Sequence, residues 1–300
     1  MVHWLIPALV APFINAIVNF IDKYLVTRRI NNPLAMQLYT SIVSFCVGIL
    51  AWIAFGFPFL GGPNIFLGLG VGLLFSLAGI IYYYVISRKD VSDMTFLFGV
   101  TPVFTFFSAF LILGETFSLS QFFGFCLVLS AAIMVSLRKN AGIPLFSSTA
   151  ALILAVDVLS ALAAAATKFS INSNSFVNFI ILEGWGLGFG GILIYIFSSR
   201  VRDAFWENFK TASKKVFGII GLNETLTVFE KWVSFFALSI GPVALVSVVG
   251  GIRIFSAIAI GYLLTILAPS VIREDISKGL LARKIIAAAI LIVGLYFIYI

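Results

Sequence analysis

Asn223-Glu224-Thr225-Leu226-Thr227-Val228-Phe229-Glu230-Lys231 interrupts a run that is apolar on both sides. Val216-Phe217-Gly218-Ile219-Ile220-Gly221-Leu222 precedes it, and Trp232-Val233-Ser234-Phe235-Phe236-Ala237-Leu238 follows. Together the three pieces are long enough to cross a bilayer, which takes about 20 helical residues. An ionisable side chain at bilayer depth costs ~3 kcal/mol or more on insertion scales, so two carboxylates and an ammonium here must face protein or water. At ~100° per residue, Asn223, Thr227 and Glu230 fall on one line of a helix, and Glu224, Thr227 and Lys231 on the next. The stretch therefore reads as a membrane helix with one polar stripe. Such a stripe serves either as a solute or coupling site or as an ion-pair network joining helices.

The rest of the chain agrees. Its 300 residues are 61% hydrophobic and 10% charged, with a mean hydropathy of +1.14; soluble domains carry about 25% charged residues. That composition excludes a soluble domain and predicts an all-α integral membrane protein surrounded by lipid bilayer. A net charge of +7 would suggest nucleic acid for a soluble protein. Here topology accounts for the basic residues, and no nucleic-acid partner is expected. Cys46 and Cys126 lie in apolar runs without ligand spacing and read as packing residues, and His3 is the single histidine. A metal site would have to be all-oxygen. The first apolar run has no basic residue ahead of it and continues to Asp22, so it reads as a span and not as a cleaved leader.

Ten spans can be drawn, at roughly 4–26, 35–57, 65–87, 94–113, 118–137, 147–170, 176–199, 214–239, 242–268 and 282–300. Charge placement checks the count. The odd-numbered loops hold Arg28 and Arg29, Arg88 and Lys89, Arg138 and Lys139, then Arg200, Arg202, Lys210, Lys214 and Lys215, and finally Arg273, Lys278, Arg283 and Lys284. The even loops and both tails hold no Lys or Arg. By the positive-inside rule the odd loops face the cytoplasm and both termini face outward. The longest connection, Ser199–Lys215, has the composition of a short surface helix. Lys23 lies within a turn of the inner end of its span and can snorkel. Lys168, Lys231 and Arg253 stand apart from the cytoplasmic set.

Ten spans divide into two halves of five, 1–140 and 141–300, and an odd number per half makes the halves opposite in orientation. Thr101-Pro102-Val103-Phe104-Thr105 lines up with Ile252-Arg253-Ile254-Phe255-Ser256, Lys23 with Lys168, and Leu127–Ala131 with Ile290–Gly294. The expected fold is ten transmembrane helices as two inverted five-helix repeats. Inverted repeats place a substrate site near the midplane between the halves, and access alternates as one half rocks against the other.

Between Tyr84 and Lys139 the chain carries Thr101-Pro102-Val103-Phe104, Leu113-Gly114-Glu115, Gln121 and Gly124 ahead of an apolar span. This order resembles the second part of an EamA-type repeat of the drug/metabolite transporter superfamily. The resemblance implies ten spans in two repeats over the whole chain. It also implies an inner-membrane exporter or importer of small metabolites, prokaryotic in setting, that binds no cofactor. The second half departs from the pattern, with Thr265-Ile266 where Gly114-Glu115 would recur.

The ionisable residues expected at depth are Asp157, Lys168, Glu183, Glu224, Glu230, Lys231 and Arg253. Asp157 and Lys168 are three turns apart on one face. Four carboxylates stand against three cations, so pairing leaves one carboxylate over, a candidate to exchange a proton in each cycle; Glu224 is the first choice and Glu230 the second. Arg253 offers a planar fork for a carboxylate, either of a solute or of Glu224 in a permanent salt bridge. Gly250-Gly251 beside it allows unwinding. Asn15, Asn19 and Asp22 form a second polar line, suited to binding a solute or to joining helices, with Asn223 a further amide on the stripe; Asp22 is also placed to pair with a cytoplasmic-side cation. Gly184/Gly188 and Gly68/Gly72 read as close-packing surfaces. Trp185, Tyr82, Tyr83 and Tyr84 are candidates to line a pathway, with interfacial anchoring the first reading for the tyrosines, and Glu115 reads as the cap of the helix near Ser118.

The function expected is secondary transport of a small metabolite by alternating access, coupled to protons if the spare carboxylate titrates, by a monomer or homodimer. A lipid-linked carrier flippase and a non-transporting scaffold are the alternatives. An enzyme is not expected, since one histidine and short loops leave little room for catalytic machinery.

Overall fold

The computed structural model describes residues 3–30, 32–60, 65–88, 100–136, 148–173, 175–267 and 278–299. Among these, all regular structure is helical: α1 Leu5–Arg28, α2 Pro33–Ala54, α3 Ile65–Ile86, α4 Thr101–Leu113, α5 Leu119–Ser136, α6 Ser148–Ser173, α7 Phe176–Phe197, α8 Ser199–Thr211, α9 Lys214–Ile240, α10 Val243–Gly250, α11 Arg253–Leu267 and α12 Lys278–Tyr299. Five of them, α1, α2, α3, α6 and α7, are long and apolar enough to cross a membrane. The 27 residues of α9 are also long enough, but this helix carries Lys214, Lys215, Glu224, Glu230 and Lys231.

Local sequence chemistry sets the helix ends. Asn32, Ser175 and Ser213 each accept a hydrogen bond from a backbone N–H of the first turn of α2, α7 and α9, which satisfies donors a helix cannot pair internally. Ser118 and Gln121 cap each other reciprocally at the start of α5. Gly114 ends α4 in the left-handed conformation, φ 66°, where a side chain would be strained. The linker expected as a surface helix is α8, which sets Val201, Ala204 and Phe205 against the bundle. The span expected at 242–268 is broken: α10 stops at Gly250, and α11 starts at Arg253 after a turn at Gly251-Ile252.

Packing runs chiefly between the two halves of the chain. α1 packs on α9, α10 and α11; α2 and α3 pack on α7; α3 and α4 pack on α6; α5 packs on α12. Glycines decide how closely α7 approaches. A Cβ at Gly72 would strike the Glu183 carbonyl and the Leu187 nitrogen, and one at Gly186 the Leu69 carbonyl. Gly68 and Gly184 sit as tightly, over Leu182 and the Ser44 carbonyl. The small residues thus bring backbones together, where lipid supplies no hydrophobic force to do so.

Two lysines tie helix ends. Lys23 Nζ donates to the Ile86 carbonyl at 2.8 Å, and Lys168 Nζ donates to the Gly241 carbonyl at 2.6 Å. Each meets the terminal carbonyl region of a helix, at the end of α3 and just past α9, where a cation also suits the helix dipole. Glu115 does not cap α5. Its carboxylate accepts from the backbone N–H of Val243 at 2.9 Å and Ala244 at 3.4 Å, and pairs with Lys168 at 3.3 Å. The reason is that Gln121 already serves Ser118, whereas the N-terminus of α10 presents free N–H groups. Cys46 and Cys126 are exposed on the outer surface instead of packed inside.

Candidate functional site

A cavity of about 300 Å³ lies where α1, α3, α4, α6, α9, α10 and α11 meet. Asn15 of α1, Glu230, Lys231 and Ser234 of α9, and Arg253 of α11 contribute its distinctive polar groups, joined by hydroxyls such as Thr101 and Ser247. Gly250 and Gly251 form part of the wall. The break between α10 and α11 therefore opens onto the cavity, which is how irregular backbone is tolerated at membrane depth. Arg253 starts the second helical piece, so the interruption brings its guanidinium to the wall.

The charges sort into two groups. Arg253 lies within electrostatic range of Asp157 and Glu230, not in a salt bridge with Glu224. Asp157 is fully buried; it accepts from the Thr101 hydroxyl at 2.5 Å through Oδ1, while Oδ2 accepts no hydrogen bond among the described residues. Lys231 belongs to the second group and donates to Glu183 Oε1 at 2.8 Å. Lys168, although three turns along the same helix as Asp157, is held at the end of the bundle by Glu115 and Gly241 and takes no part in the cavity.

A chain of side-chain hydrogen bonds leaves the cavity. The Glu230 carboxylate and the Asn15 amide share the cavity wall and act on each other. Asn19 donates to Asn15 Oδ1 at 3.1 Å, and Tyr82 donates to Asn19 Oδ1 at 2.8 Å and reaches Asp22 Oδ2 at 3.0 Å. Asp22 Oδ1 accepts from Asn223 at 2.9 Å, so its partner is an amide and not a cytoplasmic cation. Glu224 Oε1 accepts from the Thr40 hydroxyl at 3.0 Å, which lies 3.1 Å from the Tyr83 hydroxyl. From Asn15 to Asp22, and from Glu230 to Glu224, the chain moves about 10 Å along the helix axes at 1.5 Å per residue.

The structure thus gathers Asn15, Glu230, Lys231 and Arg253 at one cavity, with Asp157 and Glu183 behind it. It places Asn223 and Glu224 in a separate cluster linked through Asn19. Thr101 and Thr40 belong to these networks and were not expected there; Tyr82 and Tyr83, read first as interfacial anchors and second as pathway residues, belong to them too. Tyr82 and Tyr83 face inward, while Tyr84 is the surface anchor beneath Arg88, whose guanidinium lies 3.9 Å from the ring centroid. The run Tyr82-Tyr83-Tyr84 carried the signal, since consecutive helical residues face different ways and only one of them can point to the interface.

The sequence profile of the EamA-like transporter family matches residues 2–137. Over this stretch, a little under half of its length, the chain is similar to the EamA-like transporters. No curated protein matches the chain. The whole chain is similar to a solved crystal structure of a protein, with a TM-score of 0.68 and 16% sequence identity over 98% of this chain and 94% of that one. At that identity the likeness concerns the fold, and it extends beyond the EamA-like half to nearly the full length. The chain is a multi-pass integral membrane protein whose residues 2–137 are similar to a transporter family.

Proposed function

We propose that the protein carries a small polar solute across the membrane by alternating access, and that the solute sits in the cavity with a carboxylate on Arg253 and an amine or hydroxyl donor toward Glu230. The observation that carries this reading is the placement of Arg253 and Glu230 on the wall of one 300 Å³ cavity at a broken helix. Binding cavities for small molecules start at about this volume. Discontinuous helices are where transporters of the inverted-repeat type hold their substrates.

Pairs of contacts support the ten-span repeat. Lys23 and Lys168, aligned by the repeat, cap the ends of α3 and α9, which the repeat also makes counterparts. α1 packs on α9 as α6 packs on α3, and α4 meets α6 as α10 and α11 meet α1. One pair is unequal. α3 touches α7 backbone to backbone, while its counterpart α9 barely meets α2. Exchanging the tight and loose contacts between the halves is the movement that would carry the cavity from one face to the other.

Binding to a panel of small carboxylates and amino acids, read by thermal shift and calorimetry on the purified protein, tests the site. A ligand that stabilises the parent should bind Arg253→Lys about 10- to 100-fold more weakly, because a two-bond, charge-assisted contact becomes a single one. Parent-like affinity in Arg253→Lys would remove Arg253 from the site.

A further inference from the structure

The hydrogen-bond chain that leaves the cavity ends in a second cluster built around two acids. Asp22 on α1 and Glu224 on α9 are 3% and 1% exposed. Hydroxyls lie between them: Tyr83 is close enough to act on Asp22, Tyr83 and Thr40 lie 3.1 Å apart, and Thr40 donates to Glu224. A hydroxyl can accept a proton on one side while giving one up on the other, so this path joins the carboxyls without movement of heavy atoms. Two buried acceptors in the cluster, Glu224 Oε2 and Asn223 Oδ1, take no hydrogen bond among the described residues. Leaving an anionic oxygen in that condition beside a second carboxylate is costly.

We propose that Asp22 and Glu224 hold one exchangeable proton between them, and that the Tyr82 hydroxyl reports the state of this pair to the solute cavity. The proposal rests on the cavity being a solute site. The bound species is a proton and not a metal ion, because three of the four carboxylate oxygens are faced by hydrogens, and Glu224 Oε2 and Asn223 Oδ1 alone are fewer oxygens than a metal ion takes. Asn223 presents N–H to Asp22, and Tyr82 and Thr40 present O–H, whereas a cation needs lone pairs turned toward it. Other charged and titratable groups on the packed elements are otherwise engaged. Lys23 of α1 donates to the Ile86 carbonyl. On α9, Lys231 is paired with Glu183 of α7, and Glu230 faces Asn15. Asp157 of α6 and Arg253 of α11 act on each other. The exception is Tyr39 of α2, whose ring lies tilted against Phe205 and whose buried hydroxyl takes no hydrogen bond among the described residues.

The link to the cavity follows from counting hydrogens. Tyr82 has one, and it lies within reach of two acceptors, Asn19 Oδ1 at 2.8 Å and Asp22 Oδ2 at 3.0 Å. When Asp22 is charged, Tyr82 donates to it and Asn19 loses that donor. When an O–H bond forms on Asp22, that hydrogen is donated to the Tyr82 oxygen, and the Tyr82 hydrogen turns to Asn19. Asn19 holds Asn15, which in turn meets Glu230 in the cavity. Amides do not pass protons along, so what travels is the orientation of Asn19 and Asn15.

The test uses the full chain in lipid nanodiscs with no solute added. Infrared difference spectra between acidic and alkaline buffer should show a protonated-carboxyl band that Asp22→Asn and Glu224→Gln each diminish. Thr40→Val, which keeps both acids, should shift its frequency and serves if an acid variant fails to fold. A trifluoromethyl tag on Ser234→Cys, in a Cys46→Ala/Cys126→Ala background, reads the cavity by fluorine NMR. Its resonance should titrate together with the infrared band in the parent, and Tyr82→Phe should keep the band but lose the fluorine response. A band unchanged in Asp22→Asn, Glu224→Gln and Thr40→Val would place the proton elsewhere and overturn the proposal. A fluorine titration that survives Tyr82→Phe would overturn the role of Tyr82. Because no solute is used, either failure leaves the Arg253 binding test standing, and failure of that test leaves this one intact.

Discussion

At the scale of single residues, the polar stripe of α9 divides its labour by depth. Glu230 and Lys231 belong to the cavity, and Asn223 and Glu224 to the cluster beneath it. That these residues must be inside was legible from sequence, because lipid does not tolerate them. Their partners were not, since charge tallies carry no information about which helices adjoin. The stripe itself gave no means to choose Glu183 for Lys231 over the nearer-looking Glu230. The pair is testable: Glu183 is 2% exposed and bonded to Lys231 at 2.8 Å. Lys231→Met should destabilise the protein by about 3 to 5 kcal/mol, the usual cost of stranding one member of a buried pair. Glu183→Gln/Lys231→Met should recover most of that loss. Denaturation of the three proteins in the same detergent decides it, and a Lys231→Met variant as stable as the parent would show the pair to be idle.

At the scale of elements, the glycines of α3 and α7 were read correctly as a close-packing surface, and the spacing at i and i+4 was sufficient for that. The break between α10 and α11 was only half legible. Gly250-Gly251 signalled freedom to unwind, yet an apolar run of this length looks continuous until the cavity beside it is known. The glycine seam makes its own prediction. Gly72→Ala and Gly186→Ala insert a methyl into the backbone of the facing helix and should each cost about 1 to 3 kcal/mol, the usual range for overpacking. Gly70→Ala on the same helix meets nothing within 4 Å and should leave the melting temperature unchanged. Equal behaviour of Gly70→Ala and Gly72→Ala in thermal unfolding would mean that the seam does not hold the helices together.

At the scale of the whole molecule, composition and the segregation of Arg and Lys carried the membrane reading almost unaided. The EamA-like half was legible through Thr101-Pro102, Gly114-Glu115 and Gln121. The structure explains what two of these do: Glu115 joins α4 to α10 of the other half, and Gln121 caps α5. Orientation is checked by labelling. Single cysteines at Ser173 and Arg200, both exposed, should react with a membrane-impermeant maleimide from opposite faces of sealed vesicles. Reaction of both from one face would refute the ten-span topology.

The contacts between halves also bear on how the protein is made. The helices synthesised first, α1 to α5, find their main packing partners in α6 to α12, with few among themselves. Until α9 emerges, Asp22 lacks Asn223, and Thr40 lacks Glu224. Tyr82 can already meet Asn19 and Asp22, and Thr40 can meet Tyr83, but the contacts that α9 supplies are missing for as long as the second half takes to be translated. Completion of this polar network thus waits on the second half of the chain, and a truncation before α9 should be degraded faster than the full chain in a pulse-chase.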